Sequence, residues 1–222
     1  MQRAVRVGFL AFDGVTQLDL TGPLQVLSRT PNSQMHVVAL TATVTTDVPG
    51  FVLQTTQLLD ACPPLDVLVV PGGYGVDNAI RSERLLAFVR TQAESARHVC
   101  SVCTGAFILG AAGLLKGRRS TTHWAYRHLL PLVGAIPVAE RVVRDGKFFS
   151  GGGVTAGIDF GLTLLEELAG REYAASVQLA LEYDPAPPFP RIPDDSVKRL
   201  ADRRYEERLA TFKQQLEGLA NN

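Results

Sequence analysis

The chain is poor in the residues and patterns that mark several large functional classes. Its 222 residues include three cysteines, Cys62, Cys100 and Cys103. So small and odd a number supplies no disulfide framework and fits a reducing compartment, so a cytoplasmic location is expected. There is no excess of charge of either sign: Lys+Arg and Asp+Glu are both 22 and the formal net charge is zero. A dedicated nucleic-acid surface would carry a basic excess, so no nucleic-acid partner is expected, and nothing recommends an anionic membrane. No run approaches the ~18 apolar residues of a membrane span. Val5–Phe12 is too short and too interrupted for a signal peptide. The four histidines, His36, His98, His123 and His128, stand in no recognised ligand spacing with the cysteines, so no metal is expected. Gly151-Gly152-Gly153 lacks the lysine of a phosphate loop and the spacing of a dinucleotide fingerprint. It reads as a tight strand-to-helix turn bordering a pocket.

What the chain does have is a core. It is 46% hydrophobic and 20% charged, the balance of a globular domain that folds without disulfides or metal. Apolar strands are expected at Val5–Phe12, His36–Leu40, Asp66–Val70 and His98–Val102, with hairpins at Val44–Thr55 and Val142–Phe149. Helices are expected at Leu18–Ser28, with Pro23 in the first turn, and at Ser82–Arg97, Gly105–Leu115, Ala156–Ala169 and Glu172–Tyr183. Strands alternating with helices imply an α/β fold with a mostly parallel sheet covered on both faces. Residues 1–184 form that domain. Asp184–Asp195 holds five of the thirteen prolines and reads as an extended connector. Beyond it, Val197, Leu200, Ala201, Tyr205, Leu209, Phe212 and Leu216 make the apolar stripe of one amphipathic helix, which packs either on its own core or on a second subunit.

The chemistry-bearing segment is Ser101-Val102-Cys103-Thr104-Gly105-Ala106, where a buried strand turns straight into a helix. Small residues two positions either side of a nucleophile let strand and helix approach while the nucleophile projects from the sheet. The helix N-terminus beside Cys103 is expected to lower its thiol pKa below the free value of about 8.5. An ordinary buried cysteine is the competing reading; the strand–helix junction favours the functional one. Cys100 and Cys103 form a C-x-x-C pair, but Cys100 is expected inside the strand facing the core, which argues against redox chemistry. Pro71-Gly72-Gly73-Tyr74 ends another buried strand at the same sheet edge. Gly73 and Thr104 supply backbone N–H groups that read either as a two-donor anion hole or as parts of a plain turn. Asp19, in Leu18-Asp19-Leu20-Thr21-Gly22-Pro23, reads either as a first-turn helix acid or as a partly buried carboxyl with a raised pKa beside the thiol. His123, before Trp124, reads as structural rather than as a general base.

These segments, extended by Arg119-Ser120-Thr121-Thr122-His123-Trp124 and Thr155-Ala156-Gly157-Ile158-Asp159, resemble the ThiJ/PfpI superfamily over about residues 3–184. Within it they are most similar to the isonitrile hydratases. The resemblance implies a flavodoxin-like three-layer sandwich, an elbow cysteine and a homodimer. Protease-like members place a histidine directly after the cysteine, where this chain has Thr104. Many members carry glutamate where it has Asp19, and aspartate with a Cys-Thr pair is the hydratase pattern. The resemblance further implies a cofactor-free enzyme acting on a small isonitrile. Cys103, Asp19 and Thr104 would be catalytic, Gly73 and Thr104 backbone donors, and Gly72, Tyr74 and Thr155 substrate-binding. A glyoxalase-like or deglycase-like enzyme acting on reactive aldehydes, or a cysteine-based sensor, are the other activities such an elbow supports.

Overall fold

The structure, a computed structural model, describes residues 3–189 and 195–220. The strands are β1 (Val5–Leu10), β2 (Ser33–Ala39), β3 (Thr43–Thr45), β4 (Val52–Gln54), β5 (Gln57–Leu58), β6 (Val67–Val70), β7 (His98–Val102), β8 (Arg119–Ser120), β9 (Ile136–Pro137), β10 (Val142–Asp145) and β11 (Phe148–Gly151). The helices are α1 (Gln17–Leu27), α2 (Val76–Ala79), α3 (Glu83–Ser95), α4 (Gly105–Ala111), α5 (Ala156–Ala169), α6 (Arg171–Ala180), α7 (Asp195–Arg203) and α8 (Glu206–Ala220).

The main sheet runs β10-β11-β7-β6-β1-β2-β5. Its pairs are parallel except β10–β11, which closes the edge as an antiparallel hairpin. The expected mostly parallel sandwich is therefore what forms. The central strands are apolar because both sheet faces are covered: β6 and β7 are buried at every position. Taken alone, the long parallel strands have the flavodoxin-like order 2-1-3-4-5, whose reversal falls between β1 and β6. Ligands of open α/β sheets bind beyond the carboxyl ends of the strands at that point. The segments after β1, β6 and β7 are those carrying Asp19, Gly72-Gly73 and Cys103.

Two expectations need correction. Pro23 lies in the middle of α1 rather than its first turn. Proline there removes one helical N–H bond, and the helix persists because it packs tightly on α5. A Cβ at Gly157 would stand 3.0 Å from Pro23, and one at Gly161 3.3 Å from the Pro23 Cα, so small residues on α5 admit the approach. The C-terminal stripe forms two helices, not one, broken at Arg204-Tyr205. The first leaves Val197 and Leu200 about half exposed, while the second buries Phe212 to 1% exposure and Leu216 completely. It thus packs on its own core, with the Phe212 ring edge-on to Phe107 at 5.0 Å and to Tyr126 at 5.7 Å. The expected connector falls partly on residues 190–194, outside the described residues. Phe212→Ala is expected to cost about 3 kcal/mol or more, the usual penalty for emptying a buried ring site, read as a lowered denaturant midpoint with unchanged m.

Candidate active site

Cys103 occupies the turn from β7 into α4 with φ +56°, a left-handed conformation that a non-glycine residue adopts only when its surroundings impose it. Three contacts impose it here. The Cys103 N–H donates to the carbonyls of Gly151 (3.1 Å) and Gly152 (2.9 Å). Its own carbonyl accepts from the Thr122 hydroxyl at 2.6 Å. Smallness on the flanks is a steric requirement: a Cβ on Gly105 would fall on the Val70 carbonyl oxygen. The elbow inferred from the sequence is thus present in its backbone.

Asp19 sits in the first turn of α1 with no exposed surface. Its Oδ2 accepts the Gly72 N–H at 3.1 Å, and its Oδ1 has no hydrogen-bond partner among the described residues. Burial pushes the carboxyl up to about 7, partly offset by hydrogen bonds from the Cys103 thiol and the Gly72 N–H; the Asp47 charge adds to the rise. Both readings of Asp19 meet in one residue: it is the first-turn acid of α1 and also a buried carboxyl beside the thiol. Gly72 is the hinge of this arrangement. A Cβ there would stand 2.5 Å from Thr104 Oγ1, 2.6 Å from Thr104 N and 2.9 Å from Asp19 Oδ2.

The thiol departs from expectation. Cys103 is 5% exposed, and burial together with the Asp19 carboxylate holds its pKa far above the free value rather than below it. The helix that was to lower it is only seven residues long. The backbone N–H groups of Val154 and Thr104 act in the opposite sense, favouring the thiolate, but are outweighed. The resting centre is a protonated thiol against a carboxyl near its midpoint at neutral pH.

Other expected residues divide. Thr104 borders the cavity, and its Oγ1 accepts the Gly73 N–H at 3.0 Å. The Gly73 donor is therefore spent on Thr104, and the second N–H facing the sulfur is that of Val154, at φ +22°. Tyr74 stands at the rim, and Gly72 acts through Asp19 and Thr104 rather than lining the cavity. Thr155 lies outside, at the start of α5, where its hydroxyl accepts from Arg141 at 3.4 Å. Cys100 is wholly buried in β7, as expected, which leaves the C-x-x-C pair no accessible partner thiol. Among the described residues no group of three or more His, Cys, Asp or Glu side chains is arranged to hold a metal, and no helix is long and apolar enough to cross a membrane.

The cavity over Cys103 has a volume of about 230 Å³. Sequence reasoning passed over Thr16, Asp47, Tyr126, Val154 and Arg208 in its lining and set His123 aside as structural. His123 does line it, in an aromatic group with Trp124, Tyr126 and Tyr205. Burial lowers its pKa to about 4, so the ring is neutral at pH 7. The visible clue to Arg208 was a charge at helical spacing between Tyr205 and Phe212.

A flavodoxin-like sheet with a strained elbow cysteine and a buried carboxyl defines a thiol-dependent α/β enzyme class. The chain belongs to the DJ-1/PfpI family, whose model matches residues 5–167. It is 56% identical over 186 residues to the isonitrile hydratase of Pseudomonas putida, covering 84% of this chain and 82% of that one. A ThiJ/PfpI family protein from Pseudomonas syringae superposes with a TM-score of 0.90 at 38% identity, covering 99% of this chain and 91% of that one. A DJ-1 superfamily protein from Salmonella typhimurium gives 0.74 at 26% identity, covering 81% and 99%.

Asp19→Asn is expected to stabilise the fold at alkaline pH. Below about 3.8 the carboxyl is neutral folded and unfolded, and burial costs nothing extra. Between 3.8 and 7 the unfolded chain ionises first, so stability falls; above 7 the cost is constant, on the order of 4 kcal/mol. Asparagine still accepts the Gly72 N–H. Thermal melts should show the variant above wild type at pH 8 and level with it near pH 4. An equal gap at both would contradict the buried-carboxyl account.

Proposed function

We propose that the protein is an isonitrile hydratase, adding water to R–N≡C to give an N-substituted formamide with Cys103 as nucleophile and no cofactor. The observation that carries the reading is the buried Cys103–Asp19 pair, with Thr104 directly after the cysteine where a protease-like member has histidine. The 56% identity to the Pseudomonas putida isonitrile hydratase supports it independently.

The steps follow from one mobile proton. With Asp19 ionised, its carboxylate takes the Cys103 S–H proton as the sulfur attacks the terminal carbon of the isonitrile. Asp19 then gives that proton to the same carbon, leaving a thioimidate, S–CH=N–R. Water adds to this carbon: Asp19 accepts one water proton and passes that same proton to the nitrogen, giving S–CH(OH)–NHR with Asp19 again ionised. Collapse of the hydroxyl to a carbonyl expels the sulfur, the hydroxyl proton passes back through Asp19 to the pair, and the formamide leaves. Every proton consumed is returned, so one acid–base group suffices. The Thr104 and Val154 N–H groups stabilise negative charge on the sulfur as it leaves and returns. A small neutral molecule is the only partner this chemistry requires. The family resemblance supports a homodimer, and the three free cysteines support a cytoplasmic location. We read residues 1–184 as the catalytic domain and residues 185–222 as its connector and helical extension.

Cys103→Ala should abolish formamide production, and wild type quenched in acid-free medium should show an isonitrile adduct on Cys103 by mass spectrometry. Asp19→Asn should slow adduct formation by ~10²–10⁴-fold. Turnover that persists in Cys103→Ala overturns the assignment.

The same scheme fixes a pH dependence. Below about 7 Asp19 is protonated and there is no base for the thiol, so kcat/KM should rise with pH through a midpoint near 7 and then level. A rate that falls through that range would show that the acid form of Asp19 initiates the reaction.

A further inference from the structure

The Cys103 cavity is closed on one side by a segment that takes no part in the elbow. Between α7 and α8 the chain breaks at Arg204-Tyr205, where the Tyr205 N–H donates to Asp202 O at 2.9 Å and the Tyr205 carbonyl accepts from the Leu209 N–H at 2.7 Å. The break sets the Tyr205 ring over the cavity, 5.2 Å from His123, 5.8 Å from Trp124 and 6.0 Å from Tyr126. Arg208, three residues on, holds the segment to the cavity rim. Its guanidinium donates to Asp77 Oδ1 at 2.9 Å and to the Tyr74 and Gly73 carbonyls at 3.2 and 3.4 Å, and lies 4.4 Å over the Tyr74 ring. Phe212, one turn further, is the buried anchor.

The chemistry of this wall is aromatic. Among the described residues the cation on it is Arg208, already matched by Asp77, and the surfaces presented inward are those of Tyr205, His123 and Tyr126. The cavity volume of about 230 Å³ compares with the roughly 150 Å³ apolar cavity that accepts benzene. One six-membered ring with a short linear group reaching the sulfur fits that volume.

We propose that Tyr205, fixed by Arg208 and Phe212, is the specificity-determining residue of this pocket, selecting substrates whose nitrogen carries a neutral, ring-sized apolar group over smaller, larger or charged ones. The proposal rests on the isonitrile reading above. It assigns selectivity to the C-terminal segment while the bond-making groups lie within residues 19–154.

The test compares methyl, phenyl and 1-naphthyl isonitrile, and a phenyl isonitrile bearing a ring carboxylate, on wild type, Tyr205→Ala and Tyr205→Phe. Wild type should prefer phenyl to the other three. In Tyr205→Ala the phenyl-to-methyl ratio of kcat/KM should fall about tenfold, chiefly through KM, and naphthyl turnover should rise. Tyr205→Phe should keep the wild-type ratio, because the ring and not the hydroxyl makes the contact. A phenyl-to-methyl ratio unchanged in Tyr205→Ala, or lowered as far in Tyr205→Phe as in Tyr205→Ala, overturns the proposal. Partial unfolding would lower all substrates alike and leave the ratio unmoved. A second measurement separates this from the hydratase reading: the rates at which iodoacetamide and N-(1-naphthyl)maleimide alkylate Cys103. Tyr205→Ala should raise the naphthyl-to-small reagent ratio about tenfold even if no isonitrile is turned over, and an unchanged ratio counts against the wall on its own.

Discussion

A carboxyl buried without exposed surface against a thiol is the constraint to which the rest of this structure answers. Neither group is stable there alone. An ionised carboxylate in an apolar site costs several kcal/mol unless it is hydrogen-bonded, and Asp19 receives little: one backbone N–H, one thiol and an Oδ1 with no partner among the described residues. The pair is therefore short of stabilising contacts, and its proton rests on sulfur: with the thiol held far above its free value and the carboxyl near 7, transfer to Asp19 becomes favourable only as the sulfur bonds to carbon. The core must offset the cost, and the strands on either side, buried at every position, are where it does so.

The geometry that keeps the pair together is contributed by segments far apart in the chain. Gly72 touches both sides: its N–H meets Asp19, and the space where a side chain would be is filled by Thr104 and Asp19. Cys103 is held in a left-handed backbone by Thr122, Gly151 and Gly152, so the loop after β8 and the end of β11 fix the nucleophile as firmly as its own strand does. Strain of this kind persists only where the surroundings over-determine it, and here three independent hydrogen bonds do.

This explains which parts of the site were legible in the sequence. β7 and α5 were read to the residue, because a buried run and a helical apolar period are local signals bounded by glycine or small residues. The elbow was legible for the same reason: Ser101, Gly105 and Ala106 are a steric signature written around Cys103. The direction of the thiol pKa was not, because it depends on how deeply the sheet edge is covered and on the carboxylate opposite. Neither quantity is visible from a helix N-terminus alone. Val154 was missed because its contribution is a backbone N–H, which residue identity does not reveal, and Gly73 was misassigned because its N–H turns to Thr104 Oγ1. Thr155 illustrates the converse: adjacent in sequence to Val154, it lies outside the cavity once α5 begins. The break at Arg204-Tyr205 was hidden by an apolar stripe that continues through it at nearly helical spacing.

The proposed reaction and the proposed selectivity then belong to different parts of one chain. The family model ends at residue 167, and within it lie Asp19, Gly72, Cys103, Thr104 and Val154, which together account for the movement of one proton and one electron pair. Tyr205 and Arg208 lie beyond it, on a segment whose attachment uses contacts the elbow does not need: an ion pair to Asp77, a stacked tyrosine and a buried phenylalanine. Arg208 nevertheless grips the carbonyls of Gly73 and Tyr74, whose loop also carries the Asp19 donor Gly72. Selectivity can therefore vary by substitution at Tyr205, at the break before α8, without altering the proton-transfer groups, but the segment cannot be removed freely, because loss of the Arg208 grip loosens the loop on which Asp19 depends.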